Sequence, residues 1–483
     1  MEMKNPQYGH VLHTAFQSAV SYLENLDSAS VAATVDINAL RSRLGKELTE
    51  QSLLPEQVIE ELVADVEGGI LGSAGGRFWG WVIGGSLPAA LAADWLTATW
   101  DQNAGLYSTG PAAAVVEEVA GGWLKQILGL PKSASFALVS GCQMAHATCL
   151  AAARHGLLAR HGWDIEQSGL WGARPIRILA NSQRHGSIDR AVRLLGMGTR
   201  QIVDLPVDDL GRVLPEGLNE ELKRFPSAPV IVVLQAGDIN TGSCDPFDVL
   251  LPIAREHNAW VHVDGAFGLW AAASPQLKHL VKGVEGADSW ATDGHKWLNV
   301  PFDCGYAFVA RPEAHQAALS HRASYLTFDS DARDQIDWNP EYSRRARGFP
   351  TYAALRQLGR DGVSSLVERC CVHAHSLVTR IGQLPGAEIL CVPTINQGLV
   401  RFLDPHPDAT ESDHAKWTDE TIAAILATGE AFFTGSNWKG HRVMRVSVCN
   451  WQTCEGDVDR AVRAVAKVLS EKTLRDTMMR TDE

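Results

Sequence analysis

The chain has 483 residues, of which 45% are hydrophobic and 20% charged, with a formal net charge of −13 at pH 7. This length and composition are typical of a soluble globular protein with a large core. The acidic balance argues against nucleic acid or an anionic membrane as a partner. Nine scattered cysteines without a C-x-x-C pair favour reduced thiols in a cytoplasmic protein over a disulfide framework, and we expect no metal site.

The N-terminal part of the chain shows helical patterns up to about residue 70, and its polar first ten residues predict no secretory signal. Residues 75–88 follow as a glycine-rich segment that carries Phe78, Trp79 and Trp81. Such a segment is a poor helix, so we expect a loop. Its aromatic side chains would either form a wall of a substrate site or pack at a subunit interface.

A strand, a glycine turn and a helix follow one another between residues 135 and 157. The apolar run Ser135 to Val139 ends in Ser140-Gly-Cys-Gln, and an alanine-rich helical pattern begins at Ala145. This arrangement points backbone N–H groups and the positive end of a helix dipole outward, which predicts a phosphate cradle at Gly141, Cys142 and Gln143. Taken alone, however, Gly141 is more often a simple turn glycine.

Further strands are predicted at residues 175–180, 201–204, 230–234 and 260–263, with helical patterns between them. This alternation of strands and helices indicates an α/β fold with a parallel sheet. The carboxyl ends of parallel strands meet at one edge of the sheet, where sites form.

Two charged residues follow strands in the central part of the chain. Asp264 ends the run Trp260 to Val263, and Lys296 lies 32 residues later, enough for a strand-to-strand crossover. An acid and a lysine at one sheet edge have a joint use: the lysine forms a Schiff base with pyridoxal 5'-phosphate (PLP), and the acid pairs with the protonated pyridine nitrogen. Either residue alone would more often belong to a salt bridge.

The sequences around these residues are more specific than either charge. They read H-V-D-G-A-F-G from His262 and T-D-G-H-K-W-L-N-V-P-F-D-C-G from Thr292. Both resemble the group II PLP-dependent decarboxylases, the family of aromatic-L-amino-acid, histidine and glutamate decarboxylases, and the resemblance covers residues 70–465. It implies the fold-type I PLP-dependent transferase fold, with a mostly parallel seven-stranded sheet flanked by helices and a smaller α+β C-terminal domain.

The resemblance also implies a domain division and an assembly. Residues 1–108 would be an N-terminal helical segment that packs on a dimer partner, 109–342 the large PLP-binding domain and 343–483 the small domain. The expected assembly is a homodimer with the active site at the subunit interface.

Roles for single residues follow from the same resemblance. Lys296 would carry PLP, Asp264 would pair with the ring nitrogen, and His185 would stack on the ring and contact the substrate. Ala266 is small enough for a flat ring to rest on it, and His295 would reach the phosphate. Three cofactor-binding positions depart from the family pattern: Cys142 and Gln143 replace Ser, Thr or Ala, and Asp293 stands where many members have Asn. A carboxylate beside a phosphate would be repelled, so Asp293 would orient His295 or the loop instead.

The group that returns a proton to the substrate Cα is less well defined. In the aromatic decarboxylases a loop tyrosine is assigned this role, and Tyr325 is the nearest candidate here, with Tyr342 next and Lys296 itself as another donor. Arg445 could bind a carboxylate. In a decarboxylase that carboxylate has to leave, so Arg445 is not assigned to it.

We therefore predict a PLP-dependent L-amino-acid decarboxylase, a carboxy-lyase that acts on a small amino-acid substrate. Trp79, Trp81, Trp338 and Trp438 weakly favour an aromatic or other apolar side chain. The same apparatus would also serve a PLP-dependent aminotransferase or a C–C lyase of the aldolase type. A non-catalytic PLP-fold protein is a further alternative, against which Lys296, His185 and Asp264 argue.

Overall fold

The computed structural model describes residues 8–321 and 332–481. Its α-helices are α1 Tyr8–Asn25, α2 Ile37–Leu44, α3 Pro55–Val66, α4 Pro88–Trp100, α5 Pro111–Ile127, α6 Cys142–Ala159, α7 Ile165–Ser168, α8 Gly186–Leu194, α9 Pro215–Arg224, α10 Phe247–Glu256, α11 Pro312–Leu319, α12 Gly348–Gly382, α13 Glu411–Ala427 and α14 Glu455–Thr481. Short 3-10 helices are Tyr107–Thr109, Thr199–Gln201, Gly268–Ala273, Lys278–Val281, Val284–Gly286 and Gln335–Asp337.

A seven-stranded sheet forms the centre of the molecule. Its strands are β1 Ser135–Val139, β2 Arg177–Asn181, β3 Ile202–Leu205, β4 Val230–Gln235, β5 Trp260–Asp264, β6 Ser289–Asp293 and β7 Gly305–Val309, in the order β1-β7-β6-β5-β4-β2-β3. Strands β6 and β1 both pair antiparallel with β7, and the other pairings are parallel. The prediction of a mostly parallel seven-stranded sheet is thus confirmed.

Helices cover both faces of this sheet, so its central strands are apolar at nearly every position. Within β4, Ile231 and Val233 join the apolar layer under α6, α8 and α11. Val232 and Leu234 point to the opposite layer, which α5, α9, α10 and α12 cover. Successive side chains of a strand alternate between faces, and here both faces are buried.

A second, antiparallel sheet lies in the C-terminal part of the chain. Its strands are β8 Ala387–Cys391, β9 Gln397–Phe402, β10 Thr434–Trp438 and β11 His441–Ser447, in the order β10-β11-β9-β8. Helix α12 packs against β8, β9 and β11 of this sheet and contacts β7 of the large sheet through Thr351 and Tyr306. It has a break at Gly359, where a helix stop is expected from the sequence and φ is +62°. The smaller α+β unit expected from the resemblance is confirmed.

No helix within residues 8–321 and 332–481 combines the length and the apolar content that a bilayer crossing requires. The carboxyl ends of β2, β4, β5 and β6 meet at one edge of the large sheet, beside the first turn of α6. This edge is where the sequence predicts the site.

Candidate active site

A cavity of about 640 Å³ opens at this edge of the large sheet. All nine predicted site residues that lie in the described part of the chain line it. They are Gly141, Cys142, Gln143, His185, Asp264, Ala266, Asp293, His295 and Lys296. Tyr325, the predicted proton donor, lies outside the described residues.

Lys296 reaches the cavity from the turn that follows β6. Its Nζ lies 3.1 Å from Oδ2 of Asp293, a residue whose side chain is 3% exposed. Burial by itself would lower the pKa of Lys296, but the negative charges of Asp293 and Asp264 and the contact with Asp293 outweigh it, and the net pKa is raised. The amine is therefore held as an ammonium until its proton is removed.

Asp264 ends β5 and is buried beneath the cavity. Its Oδ1 accepts a hydrogen bond from the backbone N–H of Ala266 at 3.2 Å, and its Oδ2 faces Nε2 of His146 at 3.6 Å. Burial raises the pKa of this carboxyl. His146, His185, Lys296 and the Ala266 N–H lower the pKa by more than burial raises it, so the net pKa is depressed. Asp264 is thus an anion in the floor of the cavity.

The first turn of α6 forms another part of the wall. The backbone N–H of Cys142 donates to Oδ1 of Asp293 at 2.7 Å, and the N–H of Gln143 has no acceptor among the described residues. A Cβ on Gly141 would come within 3.0 Å of the His295 ring, so only glycine leaves this approach open. Free N–H groups at a helix N-terminus favour an anion such as phosphate.

Two histidines stand on the walls of the cavity. Nδ1 of His185 accepts from the backbone N–H of Ser187 at 3.3 Å and caps α8, which leaves Nε2 on the other side of the ring. Nδ1 of His295 accepts from the N–H of Cys304 at 3.1 Å, and the His295 ring stacks on Phe302 at 4.3 Å between centroids. Burial lowers the pKa of both imidazoles despite nearby carboxylates, so both are neutral bases.

These groups fit pyridoxal 5'-phosphate. The cavity holds an amine for the aldehyde, a buried anion for a protonated ring nitrogen, and a helix N-terminus with a free N–H for the phosphate. The small side chain of Ala266 also lines it. The carboxylate of Asp293 already accepts from the Cys142 N–H, which leaves the Gln143 N–H as the open donor of this turn.

Ten further lining residues were not predicted as site residues from the sequence, among them Gln235, Arg190 and Phe302. Gln235 ends β4 and pairs with Asp264 of β5, so the convergence of parallel strand ends was the signal that could have found it. Asn240 and Thr241, in the loop that follows β4, do not line the cavity. Their backbone N–H groups donate to Asp238 instead.

The tryptophans considered for the substrate wall do not line this cavity either. Trp79 is fully buried and stacks on Phe433 of the C-terminal part at 5.4 Å between centroids, whereas Trp81 is 48% exposed beside Phe432. Arg445 is buried on β11, its Nε has no hydrogen-bond partner among the described residues, and it also lies outside the lining.

Comparison with known proteins agrees with this geometry. The family model described as "Pyridoxal-dependent decarboxylase conserved domain" matches residues 38–403. An aromatic-L-amino-acid decarboxylase from Bacillus atrophaeus is 23% identical over 467 residues, which are 95% of this chain and 95% of that protein. A 4-hydroxyphenylacetaldehyde synthase from Rhodiola rosea is 27% identical over 372 residues, or 74% of each chain.

The fold is also found among solved structures. The crystal structure of Oryza sativa TDC with PLP and tryptamine superimposes with a TM-score of 0.90 at 23% identity, covering 98% of this chain and 99% of that one. The family match spans well over half of the chain, which confirms the resemblance seen in the sequence. The chain therefore belongs to the pyridoxal-dependent decarboxylase family, as a carboxy-lyase whose cofactor is pyridoxal 5'-phosphate.

Proposed function

We propose that this decarboxylase acts on an L-amino acid with an aromatic or other apolar side chain. Decarboxylation follows from the family match, and the cavity in which the Lys296 amine and the buried Asp264 anion occur together is the observation that supports PLP chemistry at this site. An apolar side chain is supported by the similarity to the Bacillus atrophaeus enzyme over nearly the whole length of both chains. Met144, Ile239, Phe267 and Phe302 add apolar surface to the cavity.

We assign the cofactor contacts to residues of the cavity wall. Lys296 would hold the aldehyde carbon, Asp264 the ring nitrogen, and Ala266 and His185 the two faces of the ring. The phosphate would bind at the N-terminus of α6, at Gly141, Cys142 and Gln143, with His295 beside it. Asp293 is proposed to hold the Lys296 ammonium and the Cys142 N–H, a role that its contacts at 3.1 and 2.7 Å support.

The residues of the chain then divide the chemistry between them. When bound, PLP supplies an electron sink for the pair of electrons that the departing carboxylate leaves on Cα. The anionic Asp264 would stabilise a positive charge on the ring nitrogen. Lys296 takes up and gives back a proton at Nζ, and it or Tyr325 returns the proton to Cα. The neutral His185 is placed to orient the substrate from the cavity wall.

The reaction is tested by separating its products. The holoenzyme is incubated with a panel of L-amino acids, and CO2, amine, aldehyde and keto acid are each measured. We expect CO2 and amine in equal amounts, with aromatic substrates preferred. Aldehyde in place of amine would resemble the activity named for the Rhodiola rosea relative, and keto acid without CO2 would contradict the proposal.

The role of Lys296 is tested with a matched pair of variants. Lys296→Ala should lack the visible absorbance band of bound PLP, and its rate should fall at least about 100-fold. Lys282, which is 74% exposed and pairs with Asp248, serves as the control, and Lys282→Ala should keep both. A visible band that persists in Lys296→Ala would contradict the assignment.

We propose further that the chain forms a homodimer in the cytoplasm. Helices α1 and α3 contain no buried residue, and Leu12 and Leu62 are 53% and 48% exposed on them. Apolar faces of this kind favour burial against another chain, here a second copy. All nine cysteines lie in the described part of the chain and are free thiols, which suits a reducing compartment.

Light scattering provides the test of the assembly. The wild type should have twice the mass of one chain, and the double variant Leu12→Lys, Leu62→Lys should have the mass of one. If the monomeric variant also loses decarboxylase activity while keeping its helical content, an active site at the subunit interface is supported. A wild-type protein that is monomeric at working concentration would contradict the proposal.

A further inference from the structure

Two histidines next to Asp264 lie outside the lining of the cavity. His146 belongs to α6 and His262 to β5, and both are fully buried. The apolar residues of the layer between the sheet and α6 are mostly alanine, valine, isoleucine and leucine. An imidazole there without hydrogen bonds would cost about 1–3 kcal/mol for each unsatisfied polar group. The pair therefore calls for an explanation that packing does not give.

The two rings belong to a continuous line of polar contacts. Nε1 of Trp260 donates to Oγ of Ser289 at 2.9 Å, and Oγ of Ser289 lies 3.0 Å from Nδ1 of His262. Nε2 of His262 lies 2.9 Å from Nδ1 of His146. Nε2 of His146 has no hydrogen-bond partner among the described residues and faces Oδ2 of Asp264 at 3.6 Å. The line thus runs from a buried tryptophan to the acid of the site.

The chemistry of the two ends gives this line a direction. The indole N–H of Trp260 can only donate, and an ionised Asp264 can only accept. A neutral imidazole has one donor and one acceptor, so a consistent assignment places the hydrogen on Nε2 of both histidines. Ser289 then donates to His262, His262 donates to His146, and His146 points its N–H at Asp264.

The surroundings favour neutral rings. Burial lowers the pKa of His146 and lowers that of His262 to about 3. The groups that face His146 are the anions Asp264 and Asp293 and the basic groups Lys296, His185 and His262, so charges of both signs surround it. A neutral N–H donor can stabilise the Asp264 anion without adding a buried positive charge.

We propose that His146 and His262 are positioning residues that keep Asp264 ionised and oriented for the ring nitrogen of PLP, through a one-way chain of hydrogen bonds from Trp260 to His146 and the 3.6 Å contact of His146 Nε2 with Asp264. The inference rests on the proposed contact between Asp264 and that nitrogen. It assigns no chemical step to either histidine, because neither touches the cavity.

The test compares two cofactors that differ at the ring nitrogen. Dissociation constants of the apoenzyme are measured for PLP and for 1-deaza-PLP, in which carbon replaces that nitrogen. His146→Leu removes the N–H that faces the Asp264 anion, so it should weaken PLP binding at least about tenfold and should leave 1-deaza-PLP within about twofold of the wild type. His146→Gln keeps a neutral donor and an acceptor, so it should stay within about threefold for both cofactors.

Two further variants guard against a simple folding defect. Ser289→Ala removes the hydroxyl donor with little change of volume, and it should weaken PLP binding selectively, by less than His146→Leu. His315 is the matched control, since it is also fully buried, with partners at Ser135 and Trp338 and no place in the cavity lining. His315→Leu should leave the affinities for both cofactors unchanged.

Each contrary outcome identifies its own cause. Equal weakening of both cofactors in His146→Leu and Ser289→Ala would show a structural role and overturn the proposal, as would unchanged PLP affinity in both. If His146→Gln behaves like His146→Leu, the neutral chain is overturned. A wild-type protein that binds 1-deaza-PLP as tightly as PLP would remove the contact between Asp264 and the nitrogen, which is a failure of the proposed site.

Discussion

Nζ of Lys296 and Oδ2 of Asp293 lie 3.1 Å apart, and the two residues are three positions apart in the chain. The second carboxylate oxygen of Asp293 accepts the backbone N–H of Cys142 at the start of α6. One buried carboxylate therefore holds both the amine that reacts with the cofactor aldehyde and the helix end proposed for its phosphate. This arrangement explains how an acid can stand beside a phosphate site, because it is already engaged by two donors.

The first prediction concerns this ion pair. Asp293→Asn removes the main charge that raises the pKa of Lys296 but keeps an oxygen for the Cys142 N–H. An opposite charge at this distance favours the ammonium form, so the pKa of Lys296 should fall when that charge is removed. The rate at which apoenzyme attaches PLP, followed by absorbance against pH, should then reach half its maximum at a lower pH.

Asp248→Asn is the control for this measurement, because Asp248 pairs with the exposed Lys282 instead. Its pH profile should match the wild type. A profile for Asp293→Asn that is unshifted, or shifted to higher pH, would contradict the assigned role of Asp293.

The site could be predicted well from the sequence where it depends on strand ends and local motifs. Asp264, Lys296 and the turn at Gly141 each follow a buried strand, and parallel topology brings such ends together. The role of Asp293 was not predictable in the same way, because its two donors come from different elements. His146 was hidden for another reason: it sits within an alanine-rich helix and meets His262 only through tertiary packing.

The fold was equally predictable in its central part, where β4 is apolar up to its last residue and β5 is apolar apart from His262 and Asp264. The contacts of the glycine-rich segment at residues 75–88 could not be predicted. Trp79 packs on Phe433, more than 350 positions away, and such a long-range partner leaves no periodic signal. The close approach of this segment to the Lys296 turn was also invisible before the structure.

A second prediction follows from that close approach. A Cβ at Gly84 would overlap the backbone carbonyl oxygen of Lys296, and backbone atoms cannot move aside cheaply. Gly84→Ala should therefore displace the Lys296 turn and weaken PLP binding at least about tenfold, at a cost of roughly 1–3 kcal/mol. Gly122→Ala is the control, because that helical glycine has nothing within 4 Å of its added Cβ. Equal PLP affinity in both variants would contradict the prediction.

A third prediction concerns Asn299, three residues after Lys296. Its Oδ1 accepts from the N–H groups of Gly85 and Trp451, and its Nδ2 donates to the carbonyls of Trp297 and Cys449. One buried side chain thus joins the glycine-rich segment, the Lys296 turn and the C-terminal part. Asn299→Ala leaves these four groups without partners and should destabilise the fold by about 3 kcal/mol or more.

The midpoint of thermal unfolding measures this effect. Asn299→Asp keeps the acceptor for two N–H groups but turns a carboxylate oxygen towards the Trp297 and Cys449 carbonyls, so its midpoint should also lie well below that of the wild type. A midpoint for Asn299→Ala within error of the wild type would show that the four hydrogen bonds of Asn299 add no stability.

A fourth prediction concerns the ion pair between Glu117 of α5 and Arg344, whose side chains are both fully buried and 2.7 Å apart. Glu117→Gln would leave the Arg344 guanidinium buried without its counter-charge. Breaking a buried pair in this way costs about 3–5 kcal/mol. By contrast, Asp209→Asn removes the negative charge of the fully exposed partner of Lys439, and the unfolding midpoint should change little. Comparable losses in the two variants would contradict the argument.

The last prediction is a pH dependence of stability that arises at His315. Nδ1 of its ring lies 2.8 Å from Ser135 Oγ, and Nε2 donates to the Trp338 carbonyl at 2.9 Å. Burial together with the charge of Arg333 lowers the pKa of His315 to about 3. In the unfolded chain a histidine has a pKa of about 6.5, so between these values the unfolded state binds the proton more readily. The stability contributed by neutral His315 is complete above about pH 6.5 and is lost as the pH falls towards 3.

His315→Leu should therefore be less stable than the wild type at pH 8, because two buried hydrogen bonds are lost, but should lose less stability on acidification. The free-energy gap between the two proteins should narrow by up to about 1.4 kcal/mol for each pH unit below 6. Unfolding midpoints at pH 8, 7, 6 and 5 measure this gap. Because all other titrating groups are shared by the two proteins, parallel curves would mean that the pKa of His315 is not lowered on folding.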